Sequence, residues 1–405
     1  MNPTTTRSRF QLATTATNLE WHAARERARA EGGHLAGALD IDILPIAEAA
    51  GRTLAHDLFA LTDLPHYSSS AMDGWAVNGD GPWTIGTPIR AGDSTRLEAL
   101  EVGTARPIAT GAPVPPGTTS IVRREVGETA WADGTMRLQV RMPVAVGRDI
   151  RHRGEEARRG EPLLLAGMPL TPARLALASV AGYDEISVMA APDVDLVLLG
   201  DELRNHGLPG DGIVRDAFSS SLPTALTSAG ARLGRISYGR DSVDATVDAL
   251  LATTARLVVT TGGTARGPAD FVRPALDAMG ARIVCDGVAM RPGHPVLIAR
   301  LDPQRLLLAL PGNPLAAMLA FASVGVPLIE GMLRRPAAAP RRIRLAVAVE
   351  NTSASTRLVA CAWGADGAEP SRCQDSGMLR GLAESDLVCV VPPGGSRAGD
   401  LVEVL

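Results

Sequence analysis

The sequence contains no lysine: all 40 of its basic residues are arginine. A phosphate-binding loop of the Walker type, a protein-kinase fold and imine-forming catalysis each need a lysine amine, so none operates here in its usual form. The bias itself reads as a compositional trait, with arginine standing on solvated surfaces where either cation serves. Aromatic residues are scarce as well, with five Trp, three Tyr and five Phe in 405 residues. The formal net charge is −4, and no basic cluster is interleaved with the few aromatics, which argues against nucleic acid as the partner. Cys285, Cys361, Cys373 and Cys389 lie too far apart for a zinc ribbon or a redox CxxC pair and read as reduced packing thiols of a cytoplasmic protein. No apolar stretch follows Arg7 and Arg9, so no secretory signal is expected. The longest apolar run, Leu315 to Ile329, is interrupted by Pro327 and falls short of a membrane span.

What is present is 45% apolar residue, 42 Gly and 29 Pro. At about 100–200 residues per domain, the length predicts two to four domains, each able to bury a core. The first fifteen or so residues have a disordered composition, and Trp21 to Ala30 is a charged, Ala-rich helical stretch. Between about Ser68 and Asp149 short β-like runs such as Trp83-Thr84-Ile85 and Arg137-Leu138-Gln139-Val140 alternate with Gly and Pro turns, which predicts a separate small β domain. After the Pro-rich Arg335 to Pro340, the last stretch again alternates apolar and polar in short pieces and reads as a small β-barrel or sandwich.

The region between is the most regular. Val194 to Leu199, Arg235 to Tyr238 and Leu257 to Thr260 are strand-like, and Ser221 to Ala231, Ser242 to Thr253 and Asp270 to Gly280 are helix-like. This alternation predicts βαβ units and a three-layer αβα domain on a parallel sheet. Ligands of such sheets sit outside the carboxyl ends of the strands, which gathers the loops Gly200-Asp201-Glu202-Leu203, Gly239-Arg240-Asp241, Gly262 to Gly267 and Leu310 to Pro314.

The Gly-rich loop offers backbone N–H groups and a helix N-terminus to an anion such as phosphate, although such a turn also serves purely as a connection. Glu202, Asp241 and Asp270 each follow a strand. Crowded on one rim, three acids repel unless a cation such as magnesium joins them; singly, each is equally well a helix cap or a solvated loop acid. In Arg291-Pro292-Gly293-His294-Pro295 two prolines and a glycine fix the backbone, presenting Arg291 and His294 either as an anion clamp or as incidental residues of a tight turn.

Taken in order, Ser70-Ala71-Met72-Asp73-Gly74-Trp75, Thr110-Gly111-Ala112-Pro113, Arg153-Gly154-Glu155-Glu156, Gly200-Asp201-Glu202-Leu203, the Gly262 to Asp270 loop, Met290 to Pro295 and Leu310 to Pro314 resemble the motifs of the molybdopterin molybdenumtransferases, the MoeA and gephyrin E-domain family. The resemblance runs from about residue 36 to the C-terminus. It implies an elongated split domain (16–67 and 150–190), an inserted β domain (68–149), the α/β molybdopterin-binding domain (191–334) and a C-terminal β-barrel (335–405). It also implies a cytoplasmic homodimer, with its cleft between the α/β domain of one subunit and the inserted domain of the other. The family reaction inserts molybdate into the dithiolene of adenylylated molybdopterin, with magnesium-dependent release of AMP, and other proteins of cofactor biosynthesis are its expected partners.

Carried over by motif, Asp73 and Thr110 resemble the inserted domain's contribution, and Glu202, Asp241 and Asp270 the catalytic and magnesium-binding acids. Gly262, Gly263 and Gly267 resemble the nucleotide-binding loop. Arg291, His294 and Pro295, with Arg357 and Ser376, resemble the molybdate pocket, and Asn313 the residue that shapes the pterin or nucleotide pocket.

The sequence departs from the family pattern at several positions. Where the family carries two lysines in the basic turn, this chain has Arg291 and His294, and a histidine is largely uncharged at neutral pH. Ala265 stands for a serine, Leu199 for a hydroxyl residue, Phe218 for an asparagine and Glu156 for an aspartate. Each lost polar contact is worth about 0.5–1.5 kcal/mol. Two expectations follow: an active molybdenumtransferase with its acidic set complete, or a diverged paralogue kept as a dimeric binding or scaffold module. A third is an enzyme retuned to a related oxyanion such as tungstate.

Overall fold

The computed structural model describes residues 16–405 except 91, 93–96, 266, 268, 269 and 376. The expected disordered N-terminal stretch and the expected oxyanion ligand Ser376 lie outside the described residues.

Continuous apolar runs such as Val194 to Leu199 suit strands covered on both faces. They form a seven-stranded sheet in the order Ala16–Leu19, Arg282–Val288, Leu297–Asp302, Arg305–Leu310, Leu257–Thr261, Asp193–Leu199, Arg232–Gly239. The sheet is mixed rather than wholly parallel as expected, because Leu297–Asp302 runs antiparallel to both neighbours. The reason is connection length: a parallel crossover takes a dozen or more residues, and only Pro303 and Gln304 separate Leu297–Asp302 from Arg305–Leu310.

Alternate strand residues feed opposite cores. Leu196 and Leu198 pack with Leu222 and Leu226 of helix Phe218–Ala229 and Leu328 of helix Val326–Met332. Val197 and Leu199 pack instead with Leu250 of helix Val243–Leu251 and Leu276 of helix Val272–Ala278.

Residues 16–35, grouped by sequence with the elongated domain, pack on this sheet. Ala16–Leu19 lies parallel to Arg282–Val288, and helix Trp21–Leu35 buries Trp21, Ala24, Ala28 and Leu35 in the first core. That helix crosses Val326–Met332 with backbones touching: a Cβ on Gly32 would overlap the Leu328 carbonyl, and one on Gly331 the Arg29 carbonyl.

Pro327 does not interrupt its apolar run. Helix Pro314–Ala320 passes through a π-helical turn, Phe321–Gly325, into Val326–Met332, and the Ala322 and Ser323 carbonyls, four to five residues before Pro327, accept from Arg25 Nη1 at 3.3 and 3.0 Å in place of the N–H that Pro327 lacks. The resulting 19-residue segment is long and apolar enough to cross a membrane by length and composition alone, but 78% of its apolar window is buried inside the protein. Trp21 Nε1 donates to Ser323 Oγ of the π turn at 3.1 Å.

The elongated part is a chain of short antiparallel ladders: Ile41–Pro45 with Glu185–Met189, Leu58–Phe59 with Pro162–Leu164, and Ser69–Ser70 with Ile150–Arg151. Between its two passes lies a six-stranded sheet in the order Ser120–Arg123, Gly74–Val77, Thr104–Ile108, Trp83–Ile85, Thr135–Val140, Gly127–Ala132.

The C-terminal sheet runs Met290–Arg291, Thr356–Gly364, Leu387–Val391, Leu401–Val404, Arg341–Arg344, with Gly367–Pro370 branching from Thr356–Gly364. Beyond these ladders, the described residues add the isolated bridges Leu345–Ala368, where Ala346 N–H donates to Ala368 O at 3.0 Å, and Val349–Ser396, so the expected barrel is a half-barrel. Ala289 joins the two large sheets: its N–H donates to Leu19 O at 2.7 Å and its carbonyl accepts from Thr356 N–H at 2.9 Å.

Candidate active site

Four strands of the large sheet end side by side, and their loops touch. Gly200 N–H donates to Gly239 O at 3.3 Å and Gly262 N–H to Leu310 O at 3.0 Å. Gly262 has φ +84, and a Cβ there would lie 2.8 Å from the Leu199 carbonyl oxygen, so only glycine lets the loop pass this close.

Two of the three acids on this rim, Asp241 and Asp270, are held by backbone N–H groups. Asp241 Oδ2 accepts from Asp201 N–H at 3.2 Å, while Glu202 folds its carboxylate over Gly200, where a Cβ would meet Oε2 at 2.7 Å. Asp270 gives Oδ1 to Ala265 N–H at 2.9 Å and Oδ2 to Gly267 N–H at 2.5 Å. The glycine-rich loop therefore has an anion on its N–H groups already, the side chain of Asp270. Among the described residues no three His, Cys, Asp or Glu converge as a metal site. As arranged, the trio Glu202, Asp241 and Asp270 does not fit a shared magnesium ion: Asp270 is committed to the N–H groups of its own loop, while Asp241 reaches across to the Asp201 N–H beside Glu202.

Behind the loop stands Arg273, which sequence reading passed over. Its Nη1 donates to the carbonyls of Thr264 and Ala265, and its Nε and Nη2 to Asp286 Oδ1. A basic residue three positions after Asp270 was the available signal, but its partner Asp286 lies on a distant strand.

The basic turn divides. Arg291 pairs in parallel register with Arg357, and both open into a cavity of about 540 Å3 that Asn351, Ser353, Gln374 and Asp375 also line. Arg357 Nη1 donates to Glu350 O at 2.6 Å. Buried Asn351 shapes the opposite wall, donating to Ser355 O at 2.8 Å and Pro392 O at 2.9 Å while its Oδ1 accepts from Ser353 Oγ at 2.8 Å. Asn351, Ser353 and Gln374 were not anticipated; only the fold brings them opposite Arg291. His294 is not among the residues lining this cavity. Its exposed ring lies against Gly287, where a Cβ would come 3.0 Å from Cε1. Gly293, at φ +111, seats the turn on Met290 and helix Pro314–Ala320, and Pro295 follows half-buried.

Asn313 serves as the N-cap of helix Pro314–Ala320, its side chain accepting from Ala316 N–H at 3.1 Å. Asp73 and Thr110 meet on the inserted sheet: Asp73 Oδ1 accepts from Thr110 N–H at 2.7 Å and from its hydroxyl at 2.9 Å. The Thr110 N–H, then its hydroxyl, with Arg124 nearby, hold the Asp73 carboxyl below the usual carboxylate range. Among the described residues, the hydrogen bonds of this pair do not reach the loops of the large sheet.

Two of the departures are absorbed as packing. Leu199 is buried, its Cδ2 2.6 Å from where a Cβ on Gly239 would stand, and Phe218 is buried in the first core. Asp216 accepts from Phe218 N–H at 2.7 Å and from Tyr238 Oη at 3.0 Å. Burial raises the Asp216 carboxyl, but hydrogen bonds from Ser219, Phe218 and Tyr238 outweigh it and leave it below its ordinary value. Ala265 is exposed, and Glu156 stands exposed on the elongated part.

Residues 19–182 match the MoeA N-terminal region (domain I and II), and residues 196–331 a probable molybdopterin binding domain. The chain is 32% identical over 411 residues to a molybdopterin molybdenumtransferase of Synechococcus elongatus, covering 95% of this chain and 99% of that one. It is 33% identical over 297 residues to molybdopterin molybdenumtransferase 2 of Mycobacterium tuberculosis, covering 69% and 72%. The solved structure of a molybdopterin biosynthesis moeA protein from Pyrococcus horikoshii OT3 superposes with a TM-score of 0.77 over 96% of this chain and 99% of that one; at 20% identity this is a likeness of fold.

Proposed function

Because this chain belongs to the molybdopterin molybdenumtransferases, enzymes of molybdenum cofactor biosynthesis, we propose that it inserts molybdate into the dithiolene of adenylylated molybdopterin and releases AMP. The observation that carries this reading is the pairing of Arg291 with Arg357 at the mouth of one cavity. Two arginines in register on adjacent strands, with the Arg357 guanidinium held by Glu350 O, suit a tetrahedral oxyanion, and the Ser353 hydroxyl and Gln374 amide line the same cavity. In this reading Arg291 and Arg357 hold the molybdate, while the Gly262–Gly267 loop and the capped end of helix Pro314–Ala320 face the pterin nucleotide. Asp73 and Thr110 bear on the same substrate from a second subunit of a cytoplasmic homodimer, and Asp270, Asp241 and Glu202 orient the attacking and leaving groups. Magnesium enters by family resemblance only, since the acids as arranged do not fit it.

The test is AMP release from adenylylated molybdopterin with molybdate, with and without magnesium. Release by the parent and its loss in Asp270→Ala is expected. No release above background, with Asp270→Ala indistinguishable from the parent, would favour the scaffold module. Mixing Asp73→Ala with Asp270→Ala subunits is expected to restore part of the activity if the cleft is shared between two copies. Substituting tungstate for molybdate measures oxyanion preference.

A further inference from the structure

Thr264 C=O and Ala265 N–H belong to a single peptide unit, and that unit is planar, so fixing one end fixes the other. The carbonyl end accepts from Arg273 Nη1 and the N–H end donates to Asp270 Oδ1 at 2.9 Å. Arg273 Nη1 also holds the next carbonyl, Ala265 O, at 2.9 Å. Its remaining donors go to Asp286 Oδ1, so the guanidinium plane is itself anchored to strand Arg282–Val288. Thr264 is buried, and Arg273 and Asp286 are 21% and 11% exposed at the side chain, so the bonds of Arg273 to Thr264 and Asp286 are sheltered from water, while those of Ala265 lie at the exposed edge.

We propose that Arg273 is a positioning residue, which fixes the Asp270 carboxylate by holding the Thr264–Ala265 peptide from its opposite end. Its consequence for catalysis rests on the function proposed above; the clamp itself does not. Only a guanidinium suits the place. Its fork reaches two carbonyls on one edge while Nε and Nη2 hold a carboxylate on the other, whereas an ammonium presents its three donors from one point. Loss of the guanidinium leaves the carbonyls free to turn, and the Ala265 N–H that orients Asp270 Oδ1 turns with the Thr264 carbonyl. The carboxylate then samples several directions, and displacement by about 1 Å costs a reaction on the order of 100-fold.

The experiment has two arms on the full chain. Amide hydrogen exchange at Ala265 and Gly267 is measured in the parent, Arg273→Ala, Arg273→Lys and Asp286→Asn, with Asp270→Ala as the reference for a released loop. Arg273→Ala is expected to speed exchange at Ala265 about tenfold or more, with Gly267, whose peptide unit the clamp does not hold, changing less, and with Arg273→Lys and Asp286→Asn between it and the parent. In the second arm, AMP release by Arg273→Ala is expected to lose about tenfold to 100-fold in kcat, while the KM for molybdate stays within twofold, and Arg273→Lys regains part of kcat. Unchanged exchange at Ala265 overturns the proposal, as does faster exchange there with parental kcat. If the parent releases no AMP, the functional reading falls and the exchange arm still decides the clamp. If Arg273→Ala does not fold, Arg273→Lys and Asp286→Asn carry both arms.

Discussion

Replacing Arg357 by alanine removes one of two cations from the Arg291–Arg357 cavity. The guanidinium is pre-set by its bond to Glu350 O at 2.6 Å, so a bound oxyanion meets it without ordering a free side chain. A hydrogen bond to a charged group contributes about 1.5–3 kcal/mol net. Bare Coulomb attraction between unit charges at about 4 Å and an effective dielectric of about 20 is about 4 kcal/mol, an upper limit here because Arg357 is only half-buried and solvent screens it. At 1.4 kcal/mol per decade, Arg357→Ala should weaken molybdate binding by about tenfold to 150-fold. Arg357→Lys keeps the charge, loses the fork and should fall between. The assay is the molybdate dependence of cofactor formation at low and high salt, where added salt should narrow the gap between parent and variant. A molybdate KM within twofold of the parent in both Arg357→Ala and Arg291→Ala would refute the assignment of this cavity to the oxyanion.

Three further outcomes follow from the packing. Gly331→Ala drives a methyl into the Arg29 carbonyl, which should cost about 1–3 kcal/mol, offset by at most about 1 kcal/mol of helix propensity; denaturation followed by circular dichroism measures it. Thr110→Val removes the hydroxyl bonded to Asp73, so the depressed Asp73 carboxyl should move up toward its ordinary value, as read by NMR titration. Since its folded value lies below the unfolded one, the stability Asp73 contributes is present above the unfolded value and is lost as pH falls through the folded one; Thr110→Val should lessen that acid sensitivity. His294→Lys near pH 8 should leave molybdate affinity within twofold, because the ring packs on Gly287 and not in the cavity; a clear tightening would return His294 to the oxyanion site.

The central strands and helices were legible because their periodicity is strong: Val194 to Leu199 and Leu257 to Thr260 are strands within a residue of their expected ends. The edge strand Ala16–Leu19 was not, since a short polar segment becomes a strand only by pairing with Cys285 to Val288. The reversal of Leu297–Asp302 depends on a two-residue link, a detail that alternation alone does not carry. At the site, loop membership was legible and side-chain direction was not. Asp270 and Asn313 cap backbone, His294 turns to Gly287, and Arg273 draws its role from Asp286, thirteen residues away in sequence.

Ala289 belongs to both large sheets at once, its amide spoken for on one side by Leu19 and its carbonyl on the other by Thr356. Turning the C-terminal sheet about this point would break one of those bonds, so the corner behaves as a weld and not as a hinge. The arginine cavity begins two residues past it, at Arg291, and the glycine-rich loop stands on the sheet before it. The spacing between the arginine cavity and the glycine-rich loop is thereby tied to the backbone at this one residue.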